Sequence, residues 1–299
     1  MPVGSFRKLV PAVVAFAGVL GSVAVYAAGP AVTTAQGARA ADKTLEKSTG
    51  LTSHRATYVM ALTKASQSDG VRAASGTMTY TLTDRCDGYT IETNLSLKLA
   101  FANGNENHIE QRYAAWEAKN GKSSTFRFQV QENGQLAKSY HGNIAFKDDG
   151  SGTATYETGD APDGESDVQT FELQPGALLS TAHTLTLLKS AAAREKFVSK
   201  MVIDGSFDQG PFWVTAAIAA PHEDGVSPVK DDKNTLAEGR YWPVGMAYFP
   251  ASSDREVPEY EISQNLLSTG ITRSMFQDFG GFTLGFTPVK LEPINAPPC

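Results

Sequence analysis

The stretch TMTYTLTDRCDGYTIETNLSLKL, residues 77–99, decides the fold class. Met78, Tyr80 and Leu82 alternate with Thr77, Thr79, Thr81 and Thr83. After the break at Asp84 to Gly88, Tyr89, Ile91, Thr93, Leu95, Leu97 and Leu99 alternate with Thr90, Glu92, Asn94, Ser96 and Lys98. A period of two places each set on its own face, so the pattern predicts two half-buried strands joined by a turn. Threonine on the wet faces fits, because β-branched side chains sit well on a pleated surface.

The same alternation continues on both sides. Upstream, Ala56, Tyr58, Met60 and Leu62 predict an inward face. Downstream, strands are expected over about 107–118, 124–132, 136–146 and 152–157. Asn120-Gly121, Asn133-Gly134 and Asp149-Gly150 fall between these runs and mark tight hairpin turns. Residues 160–167, DAPDGESD, read as an exposed acidic loop. One helix is expected from Ser180 or Thr181 to about Ser199, with Leu185, Leu188, Ala192 and Lys196 on one face. Strands then return over about 211–220, 240–249, 258–267, 271–279 and 282–291, with a charged loop from Glu223 to Glu238 among them. The fold class is therefore all-β with one main helix, in an antiparallel arrangement that short connections permit.

Residues 1–27 read as a secretory signal peptide. Arg7 and Lys8 precede an apolar stretch from Leu9 to Val25, and Val25-Tyr26-Ala27 offers a cleavage site. Ala38-Arg39-Ala40 offers a second one. Residues 28–49 read as a flexible leader and 50–299 as a single β domain. The export signal places the chain in the periplasm. Its 26 basic and 32 acidic residues give a net charge of −6. Loss of Arg7 and Lys8 makes that about −8, which argues against nucleic acid as a partner. The two cysteines, Cys86 and Cys299, are expected to pair in an oxidising compartment; two free thiols or an intermolecular link are the alternatives.

The sequence carries no G-x-S-x-G, H-E-x-x-H or C-x-x-C motif and no phosphate-binding glycine loop. His54, His108, His141, His183 and His222 are too scattered to suggest a metal site, so neither a metal nor a cofactor is expected. His54-Arg55 is a candidate polar cluster at the mouth of a cavity; the competing expectation is a satisfied histidine and an arginine paired across the sheet. Asp84 and Asp87 flank Cys86 as a carboxylate pair or, more simply, as turn residues. Phe212-Trp213 and Tyr241-Trp242 should each send one ring to the core and one to the opposite face.

Four segments together carry a family resemblance: LTSHRATYVMAL at 51–62, GTMTYTLTDRCDGYT at 76–90, FQDFGGFTL at 276–284, and the C-terminal cysteine. The chain resembles the EipB-type periplasmic cell-envelope integrity proteins. The resemblance implies a strongly curved antiparallel β-spiral, or broken barrel, with the helix against its concave side. It implies a disulfide between Cys86 and Cys299 and no catalytic residues. It implies a non-enzymatic role in envelope integrity and stress resistance through a protein partner, a periplasmic tetratricopeptide-repeat protein. The alternative is a carrier of a lipid or lipidated ligand in the curved sheet, and an unrecognised hydrolase is the third reading.

Overall fold

A computed structural model describes residues 50–66, 70–158, 167–230, 234–252 and 256–296. The expected signal peptide (1–27) and leader (28–49), most of the DAPDGESD loop and Cys299 lie outside the described residues. The N-terminal strands are β1 (His54–Ala65), β2 (Val71–Asp84), β3 (Gly88–Phe101), β4 (Glu106–Ala118), β5 (Ser123–Glu132), β6 (Gln135–Phe146), β7 (Gly152–Thr158) and β8 (Val168–Leu173). The short β9 (Leu178–Leu179) leads into the helix α1 (Ser180–Ala192). Then follow β10 (Phe197–Ile203), β11 (Phe212–Ile218), β12 (His222–Gly225), β13 (Gly239–Pro250), β14 (Tyr260–Leu267), β15 (Thr272–Asp278) and β16 (Phe282–Pro293).

All the strands belong to one 16-stranded sheet, ordered β8-β7-β6-β5-β4-β3-β2-β1-β16-β15-β14-β13-β11-β10-β9, with β12 on β13. The first and last long strands are neighbours, with His54 opposite Pro293 and Ala65 opposite Phe282, and this pairing joins the two halves of the chain. The alternation of residues 89–99 is realised as expected: Tyr89, Ile91, Thr93, Leu95, Leu97 and Leu99 are all buried. The turn at Asn133-Gly134 has positive φ at both residues, which few pairs other than Asn-Gly accept.

The expected spiral or broken barrel is corrected by this topology. The hydrogen-bonded path has two ends, β8 and β9, and the sheet is neither closed nor strongly curled. Closure needs a long first and last strand in matched register. Here β9 has only Leu178 and Leu179, and both are held in a parallel pair with Val202 and Ile203 of β10.

The helix is corrected too. It ends at Ala192 instead of continuing to Ser199. Arg194 takes a left-handed φ of 62°, and the Glu195 amide donates back to the Ser190 carbonyl at 2.9 Å, which stops the helix without a glycine. Phe197 to Val202 then pair with β11. The buried residues of α1 are Thr181, His183, Leu187, Ser190 and Ala191. Leu185 and Leu188 are only partly buried, and Ala192 is exposed. Leucines at 185, 187 and 188 make two faces of similar apolarity, so spacing alone does not choose between them.

One contiguous core fills the inner face of the sheet. Tyr58, Tyr260, Phe128 and Phe286 are its largest wholly enclosed side chains. Each such ring or chain contributes about 1.5–3 kcal/mol by leaving water. Leu187→Ala should therefore lower the unfolding free energy by about 3 kcal/mol, and Leu188→Ala by about 1 kcal/mol. Urea unfolding of both variants checks this; equal losses, or a larger loss at Leu188, would contradict the assigned face.

Candidate functional site

The candidate site lies where β1 begins and β2 and β16 end. His54 pairs with Leu82 on one side and Pro293 on the other, so three strand ends meet there. The Ser53 hydroxyl accepts the Asp84 amide at 2.7 Å, and the Leu51 amide donates to the Tyr89 hydroxyl at 3.3 Å. The Thr52 amide donates to the Thr269 carbonyl at 3.0 Å. The Tyr58 hydroxyl donates to the Thr272 carbonyl at 2.8 Å. Residues 51–58 are thus tied to the DRCDGY segment and to the start of β15.

His54 and Arg55 do not form one cluster, because neighbours on a strand point to opposite faces. His54 is buried, holds the Thr52 carbonyl through Nδ1 at 2.8 Å, and lies 5.6 Å from the Tyr80 ring. Burial lowers its pKa, and the Thr52 carbonyl partly opposes that. Arg55 is exposed on the outer face and donates through Nε to the Thr81 hydroxyl at 3.3 Å. Asp84 is bridged to Lys119 at 2.6 Å, and the Arg85 amide closes a turn onto the Gly88 carbonyl. The pair flanking Cys86 is therefore turn chemistry. Cys86 is not a free thiol; Cys299 lies outside the described residues.

Beside this mouth, a crevice is walled by Leu51, His54, Tyr58, Tyr80, Thr181 and Gln264, among others. It leaves about 30 Å³, room for one or two waters and no more. At the first turn of α1, Glu117 of β4 is wholly buried, and its Oε2 accepts both the Thr181 amide at 2.8 Å and the Thr181 hydroxyl at 2.5 Å. Burial pushes the Glu117 carboxyl up to about 7; the bonds from Thr181 oppose the rise and the nearby Asp204 charge adds to it. Sequence reading missed Glu117. The signal was available in the parity of β4, where Tyr113 and Ala115 point inward and so must residue 117.

The other titratable groups are dispersed. His183 is wholly buried with neither ring nitrogen partnered, and burial lowers its pKa to about 4. His141 faces Glu157 at 3.5 Å, and His222 stacks on Tyr241 at 4.8 Å. His108 Nε2 is 3.0 Å from the Ser96 hydroxyl, a nucleophile–base spacing. Among the described residues the carboxylate that pairs with this histidine, Glu110, approaches the same nitrogen at 4.0 Å and cannot orient the ring from Nδ1. Among the described residues no three His, Cys, Asp or Glu side chains gather as metal ligands. Phe212 and Trp242 enter the core, while Trp213 is exposed, as alternation requires.

A family profile described as EipB-like matches residues 45–295. The chain belongs to the EipB-like family. A relative in Brucella abortus (strain 2308), the cell envelope integrity protein EipB, is 25% identical over 248 residues, which span 81% of this chain and 84% of the relative. The crystal structure of a beta-barrel-like protein of a domain of unknown function from Brucella abortus superposes with a TM-score of 0.73 at 24% identity, covering 82% of this chain and 99% of that one. In this EipB-like chain two of the family-bearing segments, 51–62 and 76–90, are knit together at the mouth, while 276–284 pairs with the far end of β1. Tyr58→Phe should therefore cost about 1–3 kcal/mol by orphaning the buried Thr272 carbonyl, and Arg55→Ala less than about 0.5 kcal/mol. Thermal and urea unfolding give the comparison, and a reversed order would place the structural load on the outer face.

Proposed function

We propose that this chain is a non-enzymatic periplasmic protein that supports cell-envelope integrity and stress resistance by binding a protein partner, a periplasmic tetratricopeptide-repeat protein. The observation that carries the reading is its membership of the EipB-like family, beside a relative named for cell-envelope integrity. The chemistry is in keeping with it. The buried carboxylate caps a helix, the mouth residues hold one another, and the acid paired with His108 meets the nitrogen that faces Ser96. A lipid carrier would need a large apolar cavity; the crevice holds about 30 Å³, the hollow of about 280 Å³ beside Ser96, Lys98 and His108 is lined by polar side chains and glycine, and the inner face is packed with side chains.

The reading includes a bridge between Cys86 and Cys299. Leu82 and Pro293 both pair with His54, so the two chain segments leave the same end of the sheet two strand spacings apart, about 10 Å. Six further residues reach about 20 Å, ample to close the gap. Quantitative thiol labelling of unfolded, unreduced protein should find no free thiol; two free thiols would remove the bridge.

Loss of the gene should sensitise cells to detergents and cell-wall antibiotics. Each single His→Ala variant that keeps its periplasmic abundance should restore resistance. A variant that is folded, abundant and inactive would instead point to chemistry at that histidine.

A further inference from the structure

Glu117 has a second property that helix capping does not require. Its Oε2 takes both donors of Thr181 and the Ser180 amide also bears on the carboxyl, while Oε1 is buried without a hydrogen bond of its own. An ionised carboxylate therefore leaves one charged oxygen dry and unpaired, which a neutral carboxyl avoids. The groups around it do not balance the charge. Asp204, at the end of β10, adds a like charge. Tyr80 of β2 and Tyr113 of β4 are phenols whose ionisation is pushed up by burial and opposed further by the Glu117 charge. His54 of β1 and His183 of α1 are held neutral by burial. Lys119, two residues along the chain, is bound to Asp84 at 2.6 Å and lies over the Tyr89 ring. The Thr181 hydroxyl, the Thr181 and Ser180 amides and the positive end of the helix favour the anion, and burial outweighs them.

We propose that Glu117 is a proton-operated latch on α1, closed when its carboxyl is neutral and loosened when it ionises. The crevice walled by Thr181, the partner of Glu117, has room for one or two waters, so solvent reaches the helix start once the contact opens. The sign follows from linkage. The carboxyl titrates at about 7 in the fold against an ordinary value of 4.5. Its stabilisation is complete below the ordinary value and is lost as pH rises through the folded one. Asp204 is raised as well, chiefly by burial, and acts in the same direction. Asp208, its neighbour in the loop, is bonded to Lys138 at 2.6 Å.

The test is backbone hydrogen exchange of the mature protein at pH 6 and pH 8, corrected for intrinsic rates and read at the first-turn amides of α1. The opening equilibrium in wild type should rise ~10-fold between the two pH values, and Glu117→Gln should remove most of that rise. A flat wild-type profile, or an equal rise in Glu117→Gln, overturns the latch. If the variant does not fold, carboxyl carbon NMR of glutamate-labelled wild type decides. One glutamate titrating near neutrality supports the proposal, and none above pH 6 overturns it.

Discussion

Helix α1 has no means of its own to finish its N-terminus. Leu179 stands at the cap position without a side-chain bond, and the first turn holds no acidic residue. The exposed amides of a helix start need an acceptor, and inside a protein water cannot supply it. Glu117 of β4 does so from a strand 64 residues away in sequence. The contact also fixes where α1 lies, since the residue that accepts the Thr181 amide must come from the inner face of the sheet. Leu187 and Ala191 are then buried, and the chain turns at Arg194 into β10.

The packing beyond the helix obeys the same need to keep the inner face of an open sheet dry. The loop after β10 crosses that face. Tyr113 donates its hydroxyl to the Asp204 carbonyl, and Gly205 lies flat on the Phe126 ring, where any side chain would collide. Gly210 does the same against Phe171. A tyrosine–phenylalanine layer continues on either side, with Phe126 and Tyr156 centroids 4.8 Å apart and Tyr248 and Tyr260 4.5 Å apart. The charged loop that follows β11 is not loose decoration: Arg273 donates to the Val226 and Ala237 carbonyls and stacks over Tyr241 at 4.3 Å. One arginine so holds both ends of that loop against the sheet.

Local alternation and Asn-Gly turns made most strands legible, because a half-buried strand writes its two faces directly into every second residue. The buried sides of β3 at Tyr89 and Leu97 follow that rule without exception. β8 was not legible: Val168, Gln169 and Thr170 are exposed, and only Phe171 and Leu173 at its end turn inward, too short an alternation to announce a strand. The end of α1 was hidden because an arginine in a left-handed conformation gives no sequence sign, and β10 is fixed as a strand by its long-range partners β11 and β9. The topology of the sheet comes from long-range pairing, above all of β1 with β16, so the curved spiral implied by resemblance could not be checked from periodicity. Of the candidate site, the motif residues were visible, but their division was not. His54 faces the interior, Arg55 faces solvent, and the carboxylate that matters sits on β4.

The central claim is that the Glu117–Thr181 contact across the interior holds the helix to the sheet. The most direct measurement is a double-mutant cycle of Glu117→Ala and Thr181→Ala by urea unfolding at pH 6, where the carboxyl is largely neutral and the contact closed. A coupling of about 0.5–1.5 kcal/mol is predicted, the range for a buried hydrogen bond between neutral partners. Additive losses, with a coupling below about 0.3 kcal/mol, would mean that the two residues do not act on one another and that α1 is held by its apolar face alone.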